Sequence, residues 1–379
     1  MTMLRRVLII AGEASGDLHG AGVVRELKRR QPRLEVYGIG GDNMRREGMD
    51  LVFHIAGLAF MGFAEVLKNL STIKKVEKKM EGLLESRRPD VVVLIDYPGF
   101  NLRFARRVKQ RRIPVLYYIS PQVWAWNMRR VKKMKRCVDS MKVVFPFEVD
   151  IYRNEGIDVE FVGHPLVESL KAPCLKEEFF RRHGLDPRMR LLGLFPGSRM
   201  QEIENILPVM LDAAEEIRRT HDVQIAVGIA PNLGAESVRT YLRGYPWVVA
   251  LEHATYDLMR WADAAIVTSG TATLETGWFG TPMAVVYKTS PVTFFIGRLL
   301  VDVPYIGLVN IVAGKKVVPE FIQHDLTAEH LVEAIAKILD DPGYAESVRR
   351  ELRAIREKLG GPGASARVVD GIFALAEVV

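Results

Sequence analysis

AAIVTSGTATLETGWFGTP, residues 264–282, carries the plan on which the chain is built. It opens with an apolar run, Ala264 to Thr268, of the kind a parallel strand buried on both faces requires. The run breaks at Ser269-Gly270-Thr271 and resumes as a helix with Glu275 in its first turns. A strand, a glycine turn and a helix start form an anion site, because the turn amides and the positive end of the helix dipole favour a phosphate. Glu275 lies one helical turn beyond Thr271, on the same face. A carboxylate there repels a phosphate held too close, yet accepts hydrogen bonds from ribose hydroxyls one group further along. An ordinary helix cap, Ser/Thr followed by an acidic residue, fits the same letters.

Working outward, strand and helix patterns alternate almost throughout the 379 residues, which indicates α/β architecture with parallel sheets and a length suited to two domains. Strands are expected at Val7–Ala11, Val91–Ile95, Val115–Ile119, Val159–Gly163, Leu191–Phe195, Val223–Gly228, Val248–Leu251 and Met283–Tyr287. Helices are expected at Leu18–Arg30, Gln201–Arg219, Thr327–Asp340, Tyr344–Lys358 and the C-terminal stretch after Gly363. His164-Pro165 and a change in charge balance mark a linker near residues 164–172.

The net charge of +7 is uneven: residues 1–170 carry +10 and the remainder −3. Residues 101–136 hold 12 Lys/Arg and no acidic residue, which suits a solvated face or an anionic partner such as phosphorylated substrate, lipid headgroups or nucleic acid. Two cysteines, Cys137 and Cys174, form neither a disulfide framework nor a metal cluster, in keeping with a reducing cytoplasm. No apolar run approaches the ~18 residues of a spanning helix. The uncharged Ile55–Phe63 segment, followed by Lys68, Lys74, Lys75, Lys78 and Lys79, fits a core helix or an interfacial element.

Several residues stand where chemistry is expected. Gly12–Asp17 follows the first strand, but its glycine spacing is wrong for a dinucleotide fingerprint, and Glu13 and Asp17 would oppose a pyrophosphate. The loop suits hydroxyls, with Asp17 also placed to cap a helix. Asp96 ends an apolar strand, the position of a general base or of a turn-closing residue. Trp124 and Trp126, beside a basic stretch, suit a sugar, a lipid interface or a single-stranded nucleic acid. Arg199 opens a helix, where a cation opposes the dipole unless an anion intervenes, or pairs with Glu202.

Together GEASGDLHG (12–20), IDYPGFN (95–101), SPQVWAW (120–126), VGHPL (162–166), FPGSRMQEI (195–203), SGTATLE (269–275), GLVNIVAG (307–314) and PEFIQ (319–323) resemble the lipid-A-disaccharide synthase family. The resemblance implies a GT-B glycosyltransferase of two Rossmann-like domains with the active site in the cleft between them. The expected division is 1–167 for acceptor and membrane and 168–361 for the UDP-sugar, with residues 362–379 packing back on the first domain or on a partner subunit of a homodimer. The implied reaction joins UDP-2,3-diacylglucosamine to 2,3-diacylglucosamine 1-phosphate (lipid X), releasing UDP and leaving a β-1,6-linked disaccharide. No metal, no cofactor and no nucleic acid is expected, and the implied location is cytoplasmic, peripheral on the inner membrane of a Gram-negative bacterium.

Under this resemblance Asp96 is the base and Glu13 its reserve. Ser198, Arg199, Ser269, Gly270, Thr271 and Glu275 hold the donor, with Asn310, Glu320 and Gln323 near it. Ser15, Asp17, Asn101, Gln122 and Trp124 face the acceptor or the transferred sugar. The sequence departs from the family pattern in having Phe195 for Leu and Val309 for Pro. A UDP-sugar epimerase shares the fold and is the main alternative; a nucleic-acid-binding module is a remoter one.

Overall fold

Val91 to Ile95 are five apolar residues in succession, none with measurable exposure. A strand buried on both faces needs helices above and below it, which a parallel sheet with crossover helices supplies. The computed structural model describes residues 4–57, 70–126, 128–170, 174–231, 233–290, 294–295 and 303–377. It contains two such sheets.

The first is built from β1 (Arg6–Ala11), β2 (Glu35–Gly40), β3 (Asp50–His54), β4 (Val91–Ile95), β5 (Val115–Tyr118), β6 (Ser140–Val143) and β7 (Asp158–Phe161). Their order is β3-β2-β1-β4-β5-β6-β7, all parallel. The second uses β8 (Arg190–Phe195), β9 (Val223–Ile229), β10 (Val248–Glu252), β11 (Ala264–Thr268), β12 (Met283–Tyr287) and β13 (Glu320–Ile322). Its order is β10-β9-β8-β11-β12-β13, again parallel. This is the α/β, two-Rossmann-like-sheet class that the alternating pattern and the resemblance indicated.

The chain divides into two compact units, Met1–Glu168 with Leu359–Val379, and Ser169–Lys358. The first unit is therefore discontinuous in sequence. Its last helix, Ala364–Glu377, packs on the Ala14–Arg30 helix and against β4, β5 and β6. Glu168 seats that helix by accepting from the amides of Gly363 (2.9 Å) and Ser365 (3.1 Å) and from the Ser365 hydroxyl (2.6 Å). These are helix-start donors that otherwise have no acceptor.

Four strands escape the sequence reading for physical reasons. β6 reads Ser-Met-Lys-Val, and its Lys142 is buried only because Glu160 of β7 meets it at 2.5 Å. β2 contains Gly38 and Gly40, β3 carries Asp50 and His54, and β13 has only three residues. β5 stops at Tyr118 because Ile119 turns the backbone left-handed (φ 60°). Of the Ile55–Phe63 segment, Ile55–Gly57 forms a turn of 3-10 helix, and residues 58–69 lie outside the described residues. Among the described residues no helix is long and apolar enough to cross a membrane.

The basic run also looks different once folded. Arg103, Arg107 and Arg111 face Glu77, Glu81 and Glu85 of the Leu70–Ser86 helix, and Lys109 meets Asp139. Four of the twelve cations in a stretch without acidic residues are thus neutralised from outside it. Arg130, Lys132, Lys133, Lys135 and Arg136 stay exposed, with no ion pair among the described residues.

Candidate active site

In each sheet one pair of neighbouring strands sends its following helices to opposite faces: β1 and β4 in the first, β8 and β11 in the second. The carboxyl ends of such strands open a crevice where ligands bind in α/β proteins. Ala11 is paired with Ile95, so Glu13 and Asp96 leave the first sheet side by side. Phe195 is paired with Val267, which sets the 196–199 turn beside the 269–271 turn.

Asp96 and Tyr97 both have left-handed backbones (φ 45° and 47°), and for residues other than glycine this costs about 1–2 kcal/mol each. The surrounding bonds hold the turn. The Tyr117 hydroxyl donates to the Asp96 carbonyl at 2.5 Å, and Asn101 Nδ2 donates to the same oxygen at 2.8 Å. The Tyr97 ring fills the space over Gly12, where a β-carbon would come within 2.2 Å of it. Burial, with the neighbouring Glu13 charge as the second cause, pushes the Asp96 carboxyl up to about 6. Glu13 and Ser15 are exposed at the start of the Ala14–Arg30 helix.

In the second unit, Gly197 adopts φ 118°, and any side chain there would strike Glu202. The Glu202 carboxylate curls beneath the turn and accepts from the amides of Ser198 (2.8 Å) and Arg199 (3.2 Å). Arg199 Nη1 meets the other Glu202 oxygen at 3.2 Å, while the side chain keeps 57% of its exposure. The pairing with Glu202 read as an alternative in the sequence is thus present, and it leaves most of the guanidinium open. The Thr271–Phe279 helix starts after Gly270 with no side-chain cap and no acidic residue in its first turn. The Thr273 amide turns back to the Gly270 carbonyl at 3.1 Å, while those of Thr271 and Ala272 have no acceptor within the helix. Glu275 accepts from the Tyr256 hydroxyl at 3.2 Å, and burial pushes its carboxyl up to about 7.

Several expected ligand contacts are corrected by this geometry. Asp17 is 3% exposed and accepts from the amides of Gly41 (2.7 Å), Asn43 and Met44 (3.1 Å each). It caps the Asp42–Arg46 helix and has no face for an acceptor sugar. Asn101 is wholly buried and serves the Asp96 turn. Asn310 is equally buried: it donates to Val318 O and Glu320 and accepts from the amides of Val317 and Val318. Glu320 also accepts from the amides of Ile306 and Gly307, and Gln323 pairs with both backbone groups of Thr289. These three tie the 303–323 stretch together and to Thr289, so their polar atoms already serve the fold.

Two further side chains are restricted to part of their expected roles. Ser269 gives its single hydroxyl hydrogen to Ile306 O (2.8 Å), so it cannot donate to a phosphate. Trp124 gives its single indole N–H to Glu148 (3.2 Å), which leaves only the ring for contact. Gln122 is exposed, and Trp126's side chain lies outside the described residues. Among the described residues no cluster of three or more His, Cys, Asp or Glu could hold a metal ion.

The description of lipid-A-disaccharide synthetase matches residues 7–361. The chain belongs to the lipid-A-disaccharide synthase family. A lipid-A-disaccharide synthase of Geobacter sulfurreducens is 44% identical over 365 residues, covering 96% of this chain and 95% of that protein. Solved structures of similar fold include the calicheamicin glycosyltransferase CalG4 (TM-score 0.64, 16% identity, 100% of this chain and 99% of that one). The UDP-GlcNAc 2-epimerase of Neisseria meningitidis also matches (TM-score 0.67, 14% identity, 97% and 100%). At these identities the two structures speak for the GT-B fold alone, and the family match disfavours the epimerase reading.

The two departures from the family pattern find places in this frame. Val309 is buried, and its amide, which a proline would lack, donates to Thr273 Oγ1 at 3.4 Å. Thr273 in turn donates to the carbonyl of Gly270, so Val309 ties the Leu308–Ala313 helix to the candidate anion turn. Phe195 lies over Gly193 and Gly228, where no side chain competes with its ring. Sequence reasoning missed Tyr117, Glu148 and Tyr256. None stands in a recognisable motif, and each acts through a partner far off in the chain.

Proposed function

We propose that this chain transfers diacylglucosamine from a UDP-linked donor to the 6-hydroxyl of 2,3-diacylglucosamine 1-phosphate. The Asp96 carboxylate takes the hydroxyl proton as the oxygen attacks the anomeric carbon. The bond from that carbon to the diphosphate breaks, UDP leaves with the electron pair, and the configuration inverts. The observation that carries this reading is the strained, half-buried Asp96 turn beside Glu13 at the β1/β4 crevice. An aspartate titrating near 6 is a stronger base than a free one and is still ionised at neutral pH.

On the second unit, the exposed guanidinium of Arg199 and the amides opening the Thr271–Phe279 helix stabilise charge on the departing diphosphate. Thr271 is exposed at that helix start, and Glu275 accepts from the ribose hydroxyls. Ser15, Gln122 and the Trp124 ring contact the acceptor. Purified protein supplied with both lipids should release UDP stoichiometrically with disaccharide. Turnover of UDP-GlcNAc alone, with no acceptor, would favour epimerisation instead.

The enzyme works at an anionic membrane surface, since both substrates carry acyl chains. The unpaired cations from Arg130 to Arg136 support this, each such charge near an anionic leaflet contributing roughly 1 kcal/mol.

A further inference from the structure

Glu148 opens the Glu148–Asn154 helix after β6 and is 1% exposed. Nothing in the chemistry proposed above uses it. Its Oε1 accepts from the Ser120 hydroxyl at 2.5 Å and from the Trp124 indole at 3.2 Å, and Oε2 accepts from the Phe145 amide at 3.2 Å. Every partner is a donor, so the position demands a group that accepts at both ends. A glutamine could not replace it, because its amide nitrogen would face a donor whichever way it turned.

The segment these bonds hold lies next to the Asp96 turn. Ile95 is paired with Tyr118, and the Asp96 amide donates to the Tyr118 carbonyl at 3.0 Å. Residues 119–124 therefore leave the sheet alongside Asp96. Tyr152, one turn beyond Glu148, adds a bond to Pro121 O at 3.4 Å. Aromatic contacts continue the network: Trp124 meets Phe147 edge-on, Phe147 stacks on Phe145, Phe145 lies against His164, and His164 meets His19. Three separated motifs of the first unit, those of His19, Trp124 and His164, converge through this one helix start.

A buried carboxylate costs several kcal/mol of desolvation, which only well-formed hydrogen bonds offset. We propose that Glu148 is a positioning residue that fixes the 119–124 segment, and with it Gln122 and the Trp124 ring, in the geometry that receives the lipid acceptor. This rests on the reading of Gln122 and Trp124 as acceptor contacts.

The test combines kinetics with amide hydrogen exchange on the full-length protein. Glu148→Gln is expected to raise the acceptor KM about tenfold, the equivalent of one lost charge-assisted bond. It should leave the Kd for UDP unchanged and speed exchange at residues 119–124. Ser120→Ala should do the same more weakly, and the double variant should cost less than the sum of the two, because both act on the same pair. An unchanged acceptor KM and unchanged exchange in a folded Glu148→Gln protein would overturn the proposal, as would a matching loss of UDP affinity. If Glu148→Gln does not fold, Ser120→Ala decides by the same two readouts. Wild-type protein that releases no UDP from the two lipids would defeat the proposed function, and the exchange data would still decide whether Glu148 holds the segment.

Discussion

The hydroxyl of Tyr256 donates to Oε1 of Glu275 at 3.2 Å, and Ser169, the first residue of the second unit, bonds to the same hydroxyl. The carboxylate assigned to the ribose is thus oriented by a tyrosine from the preceding helix, Thr255–Trp261. Tyr256→Phe should weaken UDP binding about fivefold at pH 8, the effect of one lost hydrogen bond of ~1 kcal/mol. Burial raises the Glu275 carboxyl and the Tyr256 bond opposes it, leaving it at about 7. Removing the bond raises that carboxyl further, so the variant-to-wild-type Kd ratio should grow as the pH falls towards 6. Calorimetric titration with UDP measures this, and a ratio of one across the range would remove Tyr256 from the donor site.

Asp96 must be ionised to accept a proton, so kcat/KM should fall as the pH drops through about 6. Burial is the main cause of that raised value and the Glu13 charge the second. Glu13→Gln removes a negative neighbour and should move the acidic limb to lower pH. Asp96→Asn should cut turnover by ~10²–10⁴-fold with UDP affinity retained. An Asp96→Asn enzyme at wild-type rate would transfer the base role elsewhere, and an unmoved limb in Glu13→Gln would uncouple the two carboxyls.

Asn310 satisfies four hydrogen bonds inside the second unit. Asn310→Ala takes the acceptor from the amides of Val317 and Val318 and the donor from the Val318 carbonyl, and should destabilise the protein by about 3 kcal/mol. Urea denaturation provides the check. A variant of wild-type stability whose only defect lay in UDP affinity would restore Asn310 to the donor site.

Lys132, Lys133 and Lys135 are exposed and unpaired among the described residues. Exchanging all three for glutamine should lower the affinity for vesicles containing anionic lipid by two orders of magnitude or so, at roughly 1 kcal/mol per charge. Binding to neutral vesicles should not change. Co-sedimentation at low and high salt distinguishes the cases, and equal binding by variant and wild type would place the membrane surface elsewhere.

The two-sheet architecture was legible because Val91–Ile95 and Ala264–Thr268 are apolar runs with no competing interpretation. β6 was not, because a lysine in a strand reads as exposed until Glu160 is known to stand opposite. The site was legible where chemistry needs an unusual letter in a turn, as at Asp96 and Arg199. It was misleading where the same polar letters serve the fold: Asp17, Asn310, Glu320 and Gln323 take backbone donors or carbonyls from segments that sequence spacing does not bring together. Conversely, Tyr117 and Glu148 contribute by holding a neighbour, and a residue that acts through another has no local signature.

The helix seated by Glu168 has a consequence for how the protein comes into being. Residues 364–377 cover β4, β5 and β6, yet they follow the whole of the second unit in the chain. The nascent second unit can close on itself as soon as residue 358 has emerged. The first unit, begun earlier, must wait with β4, β5 and β6 uncovered by that helix until the second unit has been made.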